Sequence, residues 1–224
     1  MSELVEYQKR FIELSRRYEA LSFGEFELKS GRISPYFFNA GKFNSGGALS
    51  ALGRCYADSI VAAGIEFDFI FGPAYKGIPL AAVTAAALFE RHDMDVPYCF
   101  NRKEAKHHGE GGMLVGTKPR GRGLIVDDVI TAGTAIREAI GILDNMGAVA
   151  ATVMIGLDRK ERAPDSGLSA VMQLESESAI QVQSIVNLDD IREYLSAELD
   201  QQSERQSDQG LLTKIENYQD QYGV

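Results

Sequence analysis

The 224-residue chain predicts an α/β fold, a central and mostly parallel sheet flanked by helices, preceded by a small N-terminal hood. Three observations carry that expectation. From about residue 48, short β-rich runs alternate with helical stretches, which calls for right-handed crossovers and hence parallel strands. The runs "FDFIFG" and "GLIVDDV" are apolar almost throughout, as strands covered on both faces must be. The unusual residues fall at the carboxyl ends of these runs, where open α/β sheets gather their ligands.

Taken in order, Leu4, Phe11, Ile12, Leu14 and Tyr18 recur at helical spacing within residues 3–20. "FELKSGRISPYFFNAGKF" then alternates around the turn signals Ser30-Gly31 and Ser34-Pro35 and reads as a β-rich flap. A helix carrying Leu49, Leu52, Tyr56 and Ile60 stops at Gly64; "FDFIFG" follows as a strand, "GIPLAAVTAAALFER" as an apolar helix, and "VPYCF" as the next strand. A long Gly- and Lys-rich loop leads to "GLIVDDV", a helix with Ile136, Ile140 and Leu143 on one face and Gly147 as its stop, and the strand "AATVMIGL". The polar stretch "QQSERQSDQG", residues 201–210, reads as a connector before a last helix, "LLTKIENYQDQYGV". The expected organisation is one domain: helix and hood over 1–45, α/β core over 46–200, polar connector and terminal helix over 201–224.

With 23 basic against 32 acidic side chains the net charge is −9, which repels a phosphodiester backbone, so nucleic acid is not an expected partner. Cys55 and Cys99 have neither metal-ligand nor CxxC spacing and read as small buried hydrophobes suited to a reducing cytoplasm. The apolar run "IPLAAVTAAALF" ends at Glu90, short of a membrane span, and the N-terminus is charged from residue 3. A cytoplasmic protein with no membrane partner is the expectation.

The informative string is "LIVDDVITAGTAIRE", residues 124–138. Its apolar run places Asp127 and Asp128 at the end of a central strand, where alternation predicts side chains on opposite sides and therefore not both buried. "TAGT" then offers two hydroxyls, a glycine and the free N–H groups of a helix N-terminus, a cradle for a phosphate monoester. Carboxylates beside such a cradle suit a sugar phosphate, since they accept hydrogen bonds from ribose hydroxyls. A solvated acidic turn with Thr131 or Thr134 as a plain N-cap is the competing reading of the same residues.

This string, two acids followed by a hydrophobic pair and Thr-x-Gly-Thr, resembles the 5-phosphoribosyl-1-pyrophosphate (PRPP) motif of type I phosphoribosyltransferases. Together with "LKSGRISPYFFNAGKF" (28–43), "FGPAYKGIPLA" (71–81), "CFNRKEAKHHGEGG" (99–112) and "LDRKER" (157–162), it is similar to the orotate phosphoribosyltransferases over about residues 21–162. The resemblance implies the type I phosphoribosyltransferase fold. It also implies transfer of 5-phosphoribose from PRPP to orotate, giving orotidine 5′-monophosphate and pyrophosphate, with Mg²⁺ held by PRPP and water rather than by a protein cage. PRPP is expected on Lys29, Tyr75, Lys76, Arg102, Lys103, Lys106 and His108. Its phosphate and ribose fall to Asp127, Asp128, Val129, Ile130, Thr131, Ala132, Gly133, Thr134 and Ala135. Orotate is expected on Phe37, Phe38, Thr131 and Arg159, and Lys106, Asp127 and Asp128 are the expected catalytic residues. A cis peptide not at proline is expected at Ala74-Tyr75. A different type I phosphoribosyltransferase and a non-catalytic PRPP sensor are the alternatives.

Residues 101–123 hold six cations against two acids in a chain that is acidic overall, which focuses attraction for a small polyanion on one segment. The resemblance makes this segment a lid that closes over the neighbouring subunit's site, so a homodimer with a shared active site is expected. His107 and His108 point apart on an extended loop and His92 stands alone, so a transition-metal site is not expected. "GGMLVGTK" ends Gly-Thr-Lys rather than Gly-Lys-Thr, which disfavours a nucleoside-triphosphate loop, and no Gly-x-Gly-x-x-Gly occurs.

Overall fold

The computed structural model describes residues 4–28, 30–106, 112–163, 166–201 and 206–224. Helix α1 (Glu6–Arg17) leads into an antiparallel pair, β1 (Leu21–Glu27) and β2 (Ile33–Phe38), which forms the hood. Helix α2 (Gly46–Ala62), capped by Ser45 accepting from the Ala48 N–H at 3.3 Å, opens the main body. The remaining strands are β3 (Phe69–Gly72), β4 (Tyr98–Lys106), β5 (Gly112–Gly116), β6 (Arg122–Asp127), β7 (Val149–Asp158) and β8 (Gln181–Asn187). They form one six-stranded sheet in the order β5-β4-β3-β6-β7-β8, with every neighbouring pair parallel except β4–β5. Helices α3 (Gly77–His92), α4 (Thr134–Asn145), α5 (Ala170–Ser178), α6 (Leu188–Gln201) and α7 (Gln206–Tyr222) complete the chain.

Strand alternation sends successive residues to two cores. Phe69, Phe71, Ile125, Val153 and Ile155 pack against Ile136, Leu143 and Leu174 of α4 and α5. Ile70, Leu124, Val126 and Met154 face the other way, onto Phe11, Leu52, Ile60, Leu88 and Ile215 from α1, α2, α3 and α7. Each such fully buried side chain contributes about 1.5–3 kcal/mol, and both sheet faces are thereby occupied. Close approach fixes two glycines. A Cβ on Gly53 of α2 would lie 2.6 Å from the Val83 carbonyl of α3, and one on Gly77 would lie 2.5 Å from Pro73 Cδ, so both the helix pair and the turn after β3 require glycine.

The position of the site follows from strand order. From β3 the chain runs to β4 on one side and later returns to β6 on the other, so the carboxyl ends of β3 and β6 flank the point where the sheet order reverses. The loops at Pro73–Lys76 and Asp128–Gly133 lie side by side there.

Three expectations need correction. Residues 101–123 are not one long loop: β4 continues to Lys106 and pairs antiparallel with β5 (Phe100 with Val115, Asn101 with Leu114), because "MLV" supplies a partner strand at the sheet edge. The helix expected over 211–224 begins at Gln206, taking in half of the polar stretch, since glutamine and serine have ordinary helix propensity. Strand β8 and helices α5 and α6 were not separated within the core, although "IQVQSIVNL" carries a strand-like pattern. Among the described residues no helix is long and apolar enough to cross a membrane.

Candidate active site

Both acids after β6 are buried, with Asp127 9% and Asp128 5% exposed, contrary to the expectation that alternation would leave one outside. The strand ends at Asp127, so Asp128 no longer obeys its period, and hydrogen bonds offset the burial of both. Tyr56 Oη from α2 donates to the Asp127 carbonyl at 2.8 Å. The Asp128 N–H donates to Asp127 Oδ1 at 2.9 Å, and the Gly156 and Leu157 N–H groups of β7 donate to the Asp128 carbonyl at 2.9 and 3.3 Å. Lys76 Nζ donates to Asp128 Oδ2 at 2.6 Å. Burial first, and the adjoining Asp128 charge second, push the Asp127 carboxyl up to about 7.

Beyond the acids, Val129 and Ile130 turn inward while Thr131, Ala132 and Thr134 are exposed. Helix α4 starts at Thr134 behind Gly133, which sits at φ +71° where glycine is favoured. No side chain caps this helix, so neither threonine plays the N-cap role, and the first-turn N–H groups have no side-chain partner at the cap. The uncapped turn overturns the N-cap reading of the two threonines.

The β3–α3 turn supplies the opposite wall. Its Ala74–Tyr75 peptide is cis, and the Ala74 N–H donates to Asn101 Oδ1 at 2.9 Å. Asn101, buried on β4, was not singled out from sequence, where a lone asparagine carries no signal. Tyr75 is 69% exposed, and Lys103 Nζ stands 5.4 Å from the centre of its ring, which brings the β4 cations to the turn that carries Lys76. Arg102 has its Nη1 buried without a partner among the described residues. Lys106 closes β4, and its side chain is outside the described part; Lys29 and His108 lie outside the described residues, as does His107.

The residues expected to meet orotate lie on the hood and in the turn after β7. Phe38 packs toward the core against Phe11, ring centres 6.1 Å apart, while Phe37 is 43% exposed and stacks on Phe26, so the pair splits as alternation predicts. Arg159 is not a surface residue. Its Nε and Nη2 donate to Glu161 Oε1 at 3.0 and 2.7 Å, and Nη2 also reaches Oε2 at 2.9 Å. Tyr36 Oη donates to the same Glu161 Oε1 at 2.7 Å. Burial, then the Glu161 charge, raises the Tyr36 phenol well above its ordinary range. Tyr36 and Glu161 both lie in segments that carry the resemblance but were not singled out there, because their pairing spans 125 residues and no spacing announces it.

A switch-point α/β sheet with an acidic pair leading into an uncapped helix N-terminus defines the phosphoribosyltransferase class, and the family model described as "Phosphoribosyl transferase domain" matches residues 43–188. Full-length relatives narrow this. The chain is 54% identical over 218 residues to the orotate phosphoribosyltransferase of Saccharophagus degradans, covering 97% of this chain and 98% of that one. It is likewise 54% identical to the orotate phosphoribosyltransferase of Pseudomonas aeruginosa, covering 97% and 99%. The crystal structure of the Francisella tularensis orotate phosphoribosyltransferase superposes with a TM-score of 0.83 at 39% identity, covering 96% and 99%. The chain belongs to the orotate phosphoribosyltransferase family.

Proposed function

We infer that the protein transfers the 5-phosphoribosyl group of PRPP to orotate, forming orotidine 5′-monophosphate and pyrophosphate in pyrimidine biosynthesis. The observation that carries this reading is the β6–α4 turn, where Asp127 and Asp128 adjoin the uncapped start of α4. In the proposed mechanism, Thr131 to Ala135 hold the 5′-phosphate by hydroxyls and backbone N–H groups, fixing ribose C1. Asp127 and Asp128 accept from the ribose hydroxyls and place negative charge near C1 as it gains oxocarbenium character. Lys76, Lys103, Arg102 and Lys106 neutralise the departing pyrophosphate, with Lys29 and His108 assigned to the same donor. Orotate is assigned to Phe37 and Phe38, chiefly through their backbone groups, and to Thr131, with its carboxylate on Arg159.

Among the described residues no group of three or more His, Cys, Asp or Glu side chains converges as a metal cage, and Asp128 is engaged by Lys76. Mg²⁺ carried on the oxygens of PRPP and on water, rather than in a protein cage, is part of the same proposal. When bound it adds charge stabilisation on the leaving group. A homodimer, in which each β4–β5 arm closes on the neighbouring subunit's site, and a cytoplasmic location belong to the same proposal. Free, buried Cys55 and Cys99 suit a reducing compartment.

Mixing the protein with PRPP, Mg²⁺ and a panel of bases, while following orotate absorbance and pyrophosphate release, tests the assignment. Consumption of orotate alone is expected. Release of pyrophosphate only with a purine base, or with none, would reject it.

A further inference from the structure

Arg159 is held before any acceptor arrives. The turn 158–161 is built for that purpose: Lys160 adopts φ +50°, unusual for a side chain other than glycine, and is tied by its N–H to Asp158 Oδ1 at 2.9 Å and by Nζ to Asp189 Oδ2 at 2.7 Å. Arg159 and Glu161 then fall together, their side chains only 21% and 12% exposed. The end of α7 backs this turn on both flanks, with the Arg162 N–H donating to the Tyr222 carbonyl at 2.8 Å and the Val224 N–H to the Lys160 carbonyl at 3.0 Å. Tyr218 meets the Tyr36 ring edge-on at 6.2 Å between centres.

We propose that Glu161 is a positioning residue for the acceptor: by gripping the Nε–Nη2 edge of Arg159, with Tyr36 Oη braced on the same carboxylate oxygen, it leaves the Nη1 end of the guanidinium as the part that receives the carboxylate of the pyrimidine. This rests on the reading of Arg159 as the orotate ligand. A guanidinium carries five N–H donors in a rigid fork, and the side-on carboxylate occupies Nε and Nη2, while among the described residues no hydrogen bond engages the Nη1 pair. An arginine free on a loop would surrender rotamer freedom each time it bound an anion, whereas one already clamped does not. Because Glu161 also carries a compensating charge, the clamped arginine is selective by geometry rather than a general anion trap.

The test is steady-state kinetics on the full chain. Glu161→Ala is expected to raise the orotate KM about tenfold, the loss of a charge-assisted hydrogen-bonded brace, while kcat and the PRPP KM change less than about twofold. Glu161→Gln, which keeps one acceptor, and Tyr36→Phe should each give a smaller rise in the same direction. In an Arg159→Ala background, Glu161→Ala should add nothing, because a brace has no role without the group it braces. An unchanged or lowered orotate KM for Glu161→Ala, or an undiminished effect in the double variant, overturns the proposal. If Glu161→Ala does not fold, the glutamine and phenylalanine variants decide by the same comparison. Should Arg159→Ala itself leave the orotate KM unmoved, the assignment of Arg159 is what fails; a large Arg159→Ala effect beside a silent Glu161 sinks the brace alone.

Discussion

The two halves of the site hold charge in different ways. On the donor side, Asp127 and Asp128 lie in one unbroken stretch at the end of β6, in the middle of the sheet, and are held by backbone groups, one phenol from beneath and the Lys76 ammonium. On the acceptor side, Arg159 is gripped by Glu161 two residues on, and that pair is braced from afar by Tyr36 of the hood with α7 behind it. A centre made from contiguous chain inherits its geometry from the sheet and tolerates change in the periphery. One assembled from separate elements is adjustable, which suits the side of a reaction that sets which base is accepted.

That contrast can be broken experimentally. The largest effect is expected from Asp128→Asn, which removes a charge beside C1 and the partner of Lys76; kcat should fall by about 10²–10³-fold with the orotate KM little altered. A drop confined to orotate KM would erase the distinction between the halves. Lys106→Ala comes next, with kcat lowered about a hundredfold and PRPP affinity changed far less, because its proposed partner is the charge that develops on pyrophosphate. An unchanged kcat removes Lys106 from that role. Arg159→Ala should do the reverse, raising the orotate KM about 10–30-fold at near-constant PRPP KM. Equal effects on both substrates would mean that the halves are not separable.

The smallest effect concerns stability. Asp127 is pushed to about 7, so between the ordinary aspartate range and about pH 7 the folded state holds a proton that the unfolded chain has released. Its contribution to stability is therefore present at low pH and lost as pH rises through about 7. Asp127→Asn escapes that loss, and its melting temperature at pH 8.5 should exceed that of the parent by about 2–4 °C, with the gain shrinking as pH falls and vanishing only at the ordinary aspartate range, about pH 4. A gain independent of pH would place its origin elsewhere than in the buried charge.

The same contrast explains what was legible in the chain. The strand–helix alternation, the switch-point loops and the acidic pair with its Thr-x-Gly-Thr are local patterns, and a local pattern survives being read one residue after another. Burial of both acids was not legible, because Asp128 leaves the strand's period only through bonds to β7 and Lys76 that no spacing announces. Nor was the arrangement of Tyr36 with Glu161, which are 125 residues apart. The β4–β5 pairing was hidden for a different reason: its charged and glycine-rich residues have the composition of a loop, and edge pairing alone makes them strand.

The contact of Lys76 with Asp128 means that the resting protein already supplies a counter-ion to the carboxylate proposed to meet the pentose. Arrival of the donor is then a handover rather than a filling: the ammonium releases an internal anion and takes an incoming one, while the carboxylate trades an ion pair for neutral hydroxyls. The tally of close ionic contacts changes little in such a swap, so the grip on the donor at this corner is expected to be less sensitive to added salt than its charges alone suggest.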